Sequence, residues 1–199
     1  MKRLVLTFAV LIGLAAPAWA GIAEGVTAYN RGDYATALRE FRPLANQGTA
    51  VAQTFLGFMY AKGQGVPQDD AEAAKWFRKT AEQGDAVAQY LLGFLYAEGP
   101  GVPQDFAEAA KWLRKAAMQG YAFAQGDLGF MYEKGRGVPQ DYVQAHMWYN
   151  LAISRFPPGA AHDDAVRNRD FVAKHMTPAQ IAEARRLARE WKPKKEGKK

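Results

Sequence analysis

Three histidines, one serine and no cysteine are the raw material for chemistry in this chain of 199 residues. Ser154 stands in Ser154-Arg155-Phe156-Pro157. That is neither a Gly-x-Ser-x-Gly elbow nor a Ser-x-x-Lys pair, so no base is poised to activate the hydroxyl. The absence of cysteine removes thiolate nucleophiles, thiolate metal sites and redox relays together. His146, His162 and His175 form no His-Glu-x-x-His motif. The nearest approach to a metal set is His162-Asp163-Asp164 with His175, and it lacks a closed set of ligands. The alternative is polar surface on a capping helix. Adjacent carboxylates occur at Asp69-Asp70, but Asp70 becomes Phe106 and Tyr142 in equivalent stretches, which argues against a shared acid–base pair. The loops Gly63-Gln64-Gly65 and Gly99-Pro100-Gly101 lead out of helices and no Gly-Lys-Ser/Thr follows, so they are not phosphate cradles. The expectation is a protein that is not an enzyme, with no catalytic residue, no metal and no cofactor.

The elements behind these residues come from a repeat. Residues 49–84, 85–120 and 121–156 share one pattern with a period of 36, and the first two copies agree at 26 positions. A period of this size predicts a solenoid, whose units bury their apolar faces by stacking on neighbours. In the first copy, Ala52, Leu56, Gly57 and Tyr60 recur at helical spacing. Gly63-Gln64-Gly65-Val66-Pro67 cannot continue the helix. Asp69 and Glu72 then form a capping-box pattern, repeated as Asp105/Glu108 and Asp141/Gln144. A second helix follows, with Ala73, Trp76, Phe77 and Thr80 on one face, and Gly84 closes it. Gly57, Gly93 and Gly129 lie inside helices, where glycine costs roughly 1 kcal/mol against alanine. A cost repeated three times points to close helix–helix approach.

These motifs, Ala-x-x-x-Leu-Gly-x-x-Tyr, Gly-x-Gly-Val-x-x-Asp and Ala-x-x-Trp, resemble those of the Sel1-like repeat family, a relative of the tetratricopeptide repeats. The third copy departs at its end, with Asn150, Ser154, Arg155 and Phe156, as befits a unit at the boundary of an array. The resemblance implies an all-α fold, a right-handed α-solenoid of helix-hairpin repeats. It implies binding of other proteins, often in bacterial envelopes, and no common catalytic machinery.

The flanks are read in the same way. Residues 1–20 combine Lys2-Arg3, an apolar run from Leu4 to Ala16 and Ala18-Trp19-Ala20, the pattern of a cleavable signal peptide. The mature chain would begin at Gly21 and reside in the periplasm or outside the cell. Its length predicts one domain. Residues 21–48 read as an N-terminal capping hairpin without the long loop, its second helix spanning Tyr34–Asn46 and bent or shortened by Pro43. Residues 157–191 read as C-terminal capping helices, the last opened by Thr177-Pro178-Ala179-Gln180. Ile181, Ala184, Leu187 or Ala188, and Trp191 form its apolar face. Residues 192–199 form a basic tail expected to be disordered.

The net charge of +6 gathers in the C-terminal helix and tail. For an exported chain this excludes nucleic acid and favours contact with an anionic surface. What remains is a surface for a protein or peptide. The first helix of each pair is expected to line a concave groove, with Gln89, Tyr90, Phe94, Gln125 and Phe130 facing the partner. Positions 54/90/126 and 55/91/127 vary between copies. The Phe58/Phe94/Phe130 ladder is constant and also reads as core. The functional expectation is a monomeric, non-catalytic envelope scaffold or adaptor. The alternatives are a periplasmic regulator of a signalling or polysaccharide-export system, and a cell-wall hydrolase.

Overall fold

The computed structural model describes residues 19–194. Most of the expected export signal, residues 1–18, and the last five tail residues lie outside the described residues. Every regular element among the described residues is a helix. The first, α1, covers 19–30. It is followed by α2 (Tyr34–Asn46), α3 (Ala50–Lys62), α4 (Asp70–Glu82), α5 (Ala86–Glu98), α6 (Phe106–Met118), α7 (Ala122–Lys134), α8 (Tyr142–Ile153), α9 (Ala160–Ala173) and α10 (Pro178–Glu190). None of them is long and apolar enough to cross a membrane.

The chain divides into two compact units, Met1–Thr80 and Ala81–Lys199. Length alone predicted one domain. The physical reason for the difference is that stacked hairpins share no single central core. The first unit is centred on Phe41, Leu56, Met59 and Trp76. Phe41 and Phe55 stack with centroids 4.6 Å apart. The second unit is centred on Leu113, Leu128, Met131, Trp148 and Leu151. Its C-terminal helices close on the third repeat: Val172 of α9 packs with Ala145 and Tyr149, and Trp191 meets Trp148 edge to face at 6.4 Å.

Within each hairpin the helical glycine explains the close approach. A Cβ on Gly57 would overlap the ring of Phe77, and one on Gly93 or Gly129 would stand 2.8 or 2.9 Å from Leu113 or Tyr149. Gly25 holds the same place against Phe41, at 2.5 Å. The N-terminal hairpin is therefore the same unit with four residues removed from its loop. Pro43 does not shorten α2, which runs on to Asn46.

The long loops are tied at both ends. Gly63, Gly99 and Gly135 end their helices in the left-handed region. The amides of Asp69, Asp105 and Asp141 then donate to the carbonyls of Tyr60, Tyr96 and Tyr132 at 2.9 to 3.0 Å. Each aspartate carboxylate accepts from its helix's first turn, as expected. The reciprocal half of the predicted capping box is not made, because the aspartate amide is already bonded. Glu72 and Glu108 pair instead with Lys75 and Lys111. At Thr177, whose amide has no such partner, the complete box with Gln180 forms.

Candidate functional site

The five residues expected to line a groove separate into two groups. Gln89 and Gln125 are fully buried, so neither faces a partner. Their amides donate to the carbonyls of Ala81 and Ala117, as Gln53 does to Ala45, at 3.1 to 3.2 Å. Each glutamine thus satisfies a carbonyl in the last turn of the preceding helix, a group the helix itself leaves unpaired. Gln89 Oε1 accepts from Gln119 at 2.9 Å, whereas Gln125 Oε1 has no partner among the described residues. The signal for burial was available, since this glutamine is identical in all three copies.

Phe94, Phe130 and Tyr90 do gather, in the second unit. Phe94 and Phe130 are 45% and 37% exposed, and they line one cleft of about 200 Å³ with Glu98, Phe106, Asp127 and Arg136. Phe130 and Asp127 also line a neighbouring cleft of about 350 Å³, with Phe123, Gly126, Tyr149, Phe156 and α9. Tyr90 is half-buried and joins the same run of rings. It lies 5.1 Å from Tyr121 and 6.0 Å from Phe123, and Phe123 lies 4.9 Å from Phe156. Large exposed rings in a contiguous patch are the usual mark of a binding surface.

Asp127 sits where the two clefts meet. It is half-buried, and its carboxylate makes no hydrogen bond or ion pair among the described residues. Burial, helped by the carboxylate of Glu98, pushes its pKa up to about 6. Tyr90 is pushed up to about 12, first by burial and then by the nearby charge of Asp127. Asp127, Phe123 and Phe156 were not among the expected site residues. Their signal was variation between copies, with Asp127 standing where the others carry Phe55 and Leu91.

The residues considered for chemistry are dispersed. His146 is buried beside Asn150, at 2.8 Å. His162 pairs with its neighbour Asp163. His175 packs between the rings of Tyr142 and Phe171. Among the described residues no group of three or more His, Asp or Glu side chains could hold a metal ion. Ser154 Oγ donates to the Leu151 carbonyl.

The Sel1 repeat model matches residues 50–85, 86–121 and 122–155, more than half of the chain. The chain belongs to the Sel1 repeat family. A Sel1 repeat protein from Oxalobacter formigenes is 30% identical, with a TM-score of 0.66 over 82% of this chain and 72% of that one. A protective antigen present in uropathogenic Escherichia coli strains, displaying an SLR fold, is 31% identical with a TM-score of 0.58. The match covers 78% of this chain but spans only 40% of that antigen. No curated protein matches. As in other proteins of the Sel1 repeat family, the repeats form an all-α solenoid scaffold suited to protein–protein interaction.

Proposed function

We propose that this Sel1 repeat protein is an exported, non-catalytic adaptor of the bacterial cell envelope that holds a segment of another protein across α5 and α7. One observation carries the reading: Phe94 and Phe130, equivalent residues of successive repeats, are both exposed and line one cleft with an unpaired carboxylate. Rings held on rigid helices offer apolar area at little entropic cost, which is what a partner-binding surface needs.

Export is supported by the basic start, the apolar run and Ala18-Trp19-Ala20. Its test is the intact mass of the protein recovered from the envelope fraction of its own cells. Export with cleavage predicts a chain beginning at Gly21; a full-length mass in the cytoplasm contradicts it. The binding reading is tested by purifying wild type and a Phe94→Ala/Phe130→Ala variant with their partners from the same fraction. A partner present with wild type and absent with the variant supports it. Equal recovery with both overturns it.

The tail proposal also has support. Lys111, Arg114, Lys115 and Lys194 surround a second cleft, where the Lys194 amide donates to the Met118 carbonyl. This basic end is proposed to lie on an anionic surface, and the protein to act as a monomer. Cosedimentation with vesicles containing anionic lipid, lost above roughly 0.5 M salt as screening shortens the Debye length, is the expected result.

A further inference from the structure

Two substitutions remodel the third repeat at its exposed face. Where α3 carries Thr54-Phe55 and α5 carries Tyr90-Leu91, α7 carries Gly126-Asp127. A Cβ on Gly126 would meet nothing within 4 Å, so the ring that α5 places at this position is replaced by open space. The apolar residue beside it is replaced by a carboxylate. An ionised carboxylate withdrawn from water without a counterion is costly, and the interior of a solenoid repeat has no packing need for it.

The groups around Asp127 do not neutralise it. From α5 come Glu98, another carboxylate, and the hydroxyl of Tyr90. From α8 comes Tyr149, but its hydroxyl donates to Glu133 at 2.8 Å. From α9 comes Asp164, which pairs with Arg167. From α6 come only the apolar Phe106 and Leu113. Arg136, from the loop after α7, lines the same cleft but stands over Phe106 and Phe130, at 5.4 and 5.6 Å, and makes no ion pair with Asp127. Phe130 thus already accepts a guanidinium, and Lys134 lies 5.8 Å from the same ring. Aromatic faces attract cations, the more so when desolvated.

We infer that the open position at Gly126–Asp127 receives a lysine or arginine side chain of the bound segment, its charge paired with Asp127 and its apolar neighbours laid on Phe94, Phe123 and Phe130. The inference rests on the reading of this face as protein-binding. It adds the chemistry of the occupant: a basic residue between apolar ones. Because burial raises Asp127 toward neutrality, the attraction is full above about pH 7 and fades as the carboxyl takes up a proton near pH 6.

The test uses the labelled full-length protein on an array of octapeptides. The central residue is Lys, Arg, norleucine, Gln or Glu, flanked by apolar or by polar residues. Wild type, Asp127→Asn and Phe94→Ala/Phe130→Ala are compared, each checked for an unchanged helical spectrum. Wild type is expected to hold apolar-flanked Lys or Arg peptides about tenfold more tightly than norleucine peptides, as for a partly desolvated charge pair. Asp127→Asn loses that preference while keeping ring-dependent binding, and the wild-type preference shrinks at about pH 5. Equal binding of Lys and norleucine peptides, or a preference unchanged in Asp127→Asn, overturns the inference. If binding still depends on the rings, the protein-binding reading survives that result. If no peptide binds in a ring-dependent way, both readings fall.

Discussion

Gly57 lies so close to Phe77 that a Cβ on the glycine would enter the ring. Alanine at this position gains roughly 1 kcal/mol of helix propensity and must push α3 away from α4, at a cost of about 1–3 kcal/mol for overpacking. Gly57→Ala is therefore expected to lower stability in urea despite the better helix former. In a Phe77→Ala background, which itself costs about 3–5 kcal/mol because that ring is buried, the further change Gly57→Ala should cost little, because the ring that collides is then gone. A Gly57→Ala variant as stable as wild type would show that the helices are not held this close.

The buried glutamines predict an asymmetry. Gln89 is bonded through both ends of its amide, to the Ala81 carbonyl and from Gln119. Gln125 keeps the carbonyl bond, but its oxygen is buried without a partner. Leucine at position 89 strands more polar atoms and should cost about 1–3 kcal/mol. Leucine at 125 also removes an unsatisfied oxygen and should cost less. Urea denaturation of the two variants decides the order.

Asp127 makes stability depend on pH. Its carboxyl is pushed from the ordinary aspartate value of 3.8 up to about 6, by burial first and by Glu98 second. Between these values the folded chain keeps a proton that the unfolded chain has released. Stability is therefore highest below about pH 4 as far as this group is concerned, and it falls as pH rises to about 6. The cost at neutral pH is on the order of 1–3 kcal/mol. Asp127→Leu, which copies Leu91 of the preceding repeat, should raise the melting midpoint at pH 7 and remove this part of the pH dependence. A midpoint lowered at pH 7 would contradict the assignment.

The fold could be read from the chain because each repeat states the same information again. Gly84 after α4, Asp105 before α6 and Trp76 on the buried face of α4 were all found by spacing. The site was harder to read, because the residues that pack a repeat and those that serve a partner share the same helices. At Gln89 polarity misled where constancy pointed to burial, because the side chain's task is to satisfy a carbonyl of the preceding helix; at Phe94 constancy did not separate core from surface, since its ring stays exposed. Variation pointed the right way at Asp127, but only the clefts on either side of it show that the substitution leaves a carboxylate unpaired. The capping aspartates were legible. That their amides are spent on Tyr60, Tyr96 and Tyr132 was not, because this depends on how the long loop folds back.

Exposed and buried rings should respond in opposite ways. Phe94→Ala and Phe130→Ala remove rings that solvent reaches, and each should leave stability within about 0.5 kcal/mol of wild type while weakening partner binding. Phe41→Ala removes a fully buried ring from the first unit and should cost about 3–5 kcal/mol. A large stability loss at Phe94 would make it a core residue and withdraw it from the binding surface.

The most direct measurement is photo-crosslinking from this face. A photoreactive amino acid replaces Phe94 in the otherwise intact protein, expressed in its own cell, with the same residue at exposed Arg189 of α10 as control. The account predicts one dominant protein adduct from position 94, absent from the control and lost when Phe130→Ala is added. Adducts of equal strength from both positions, or none from position 94 while the control traps a protein, would contradict the claim that Phe94 and Phe130 hold the partner.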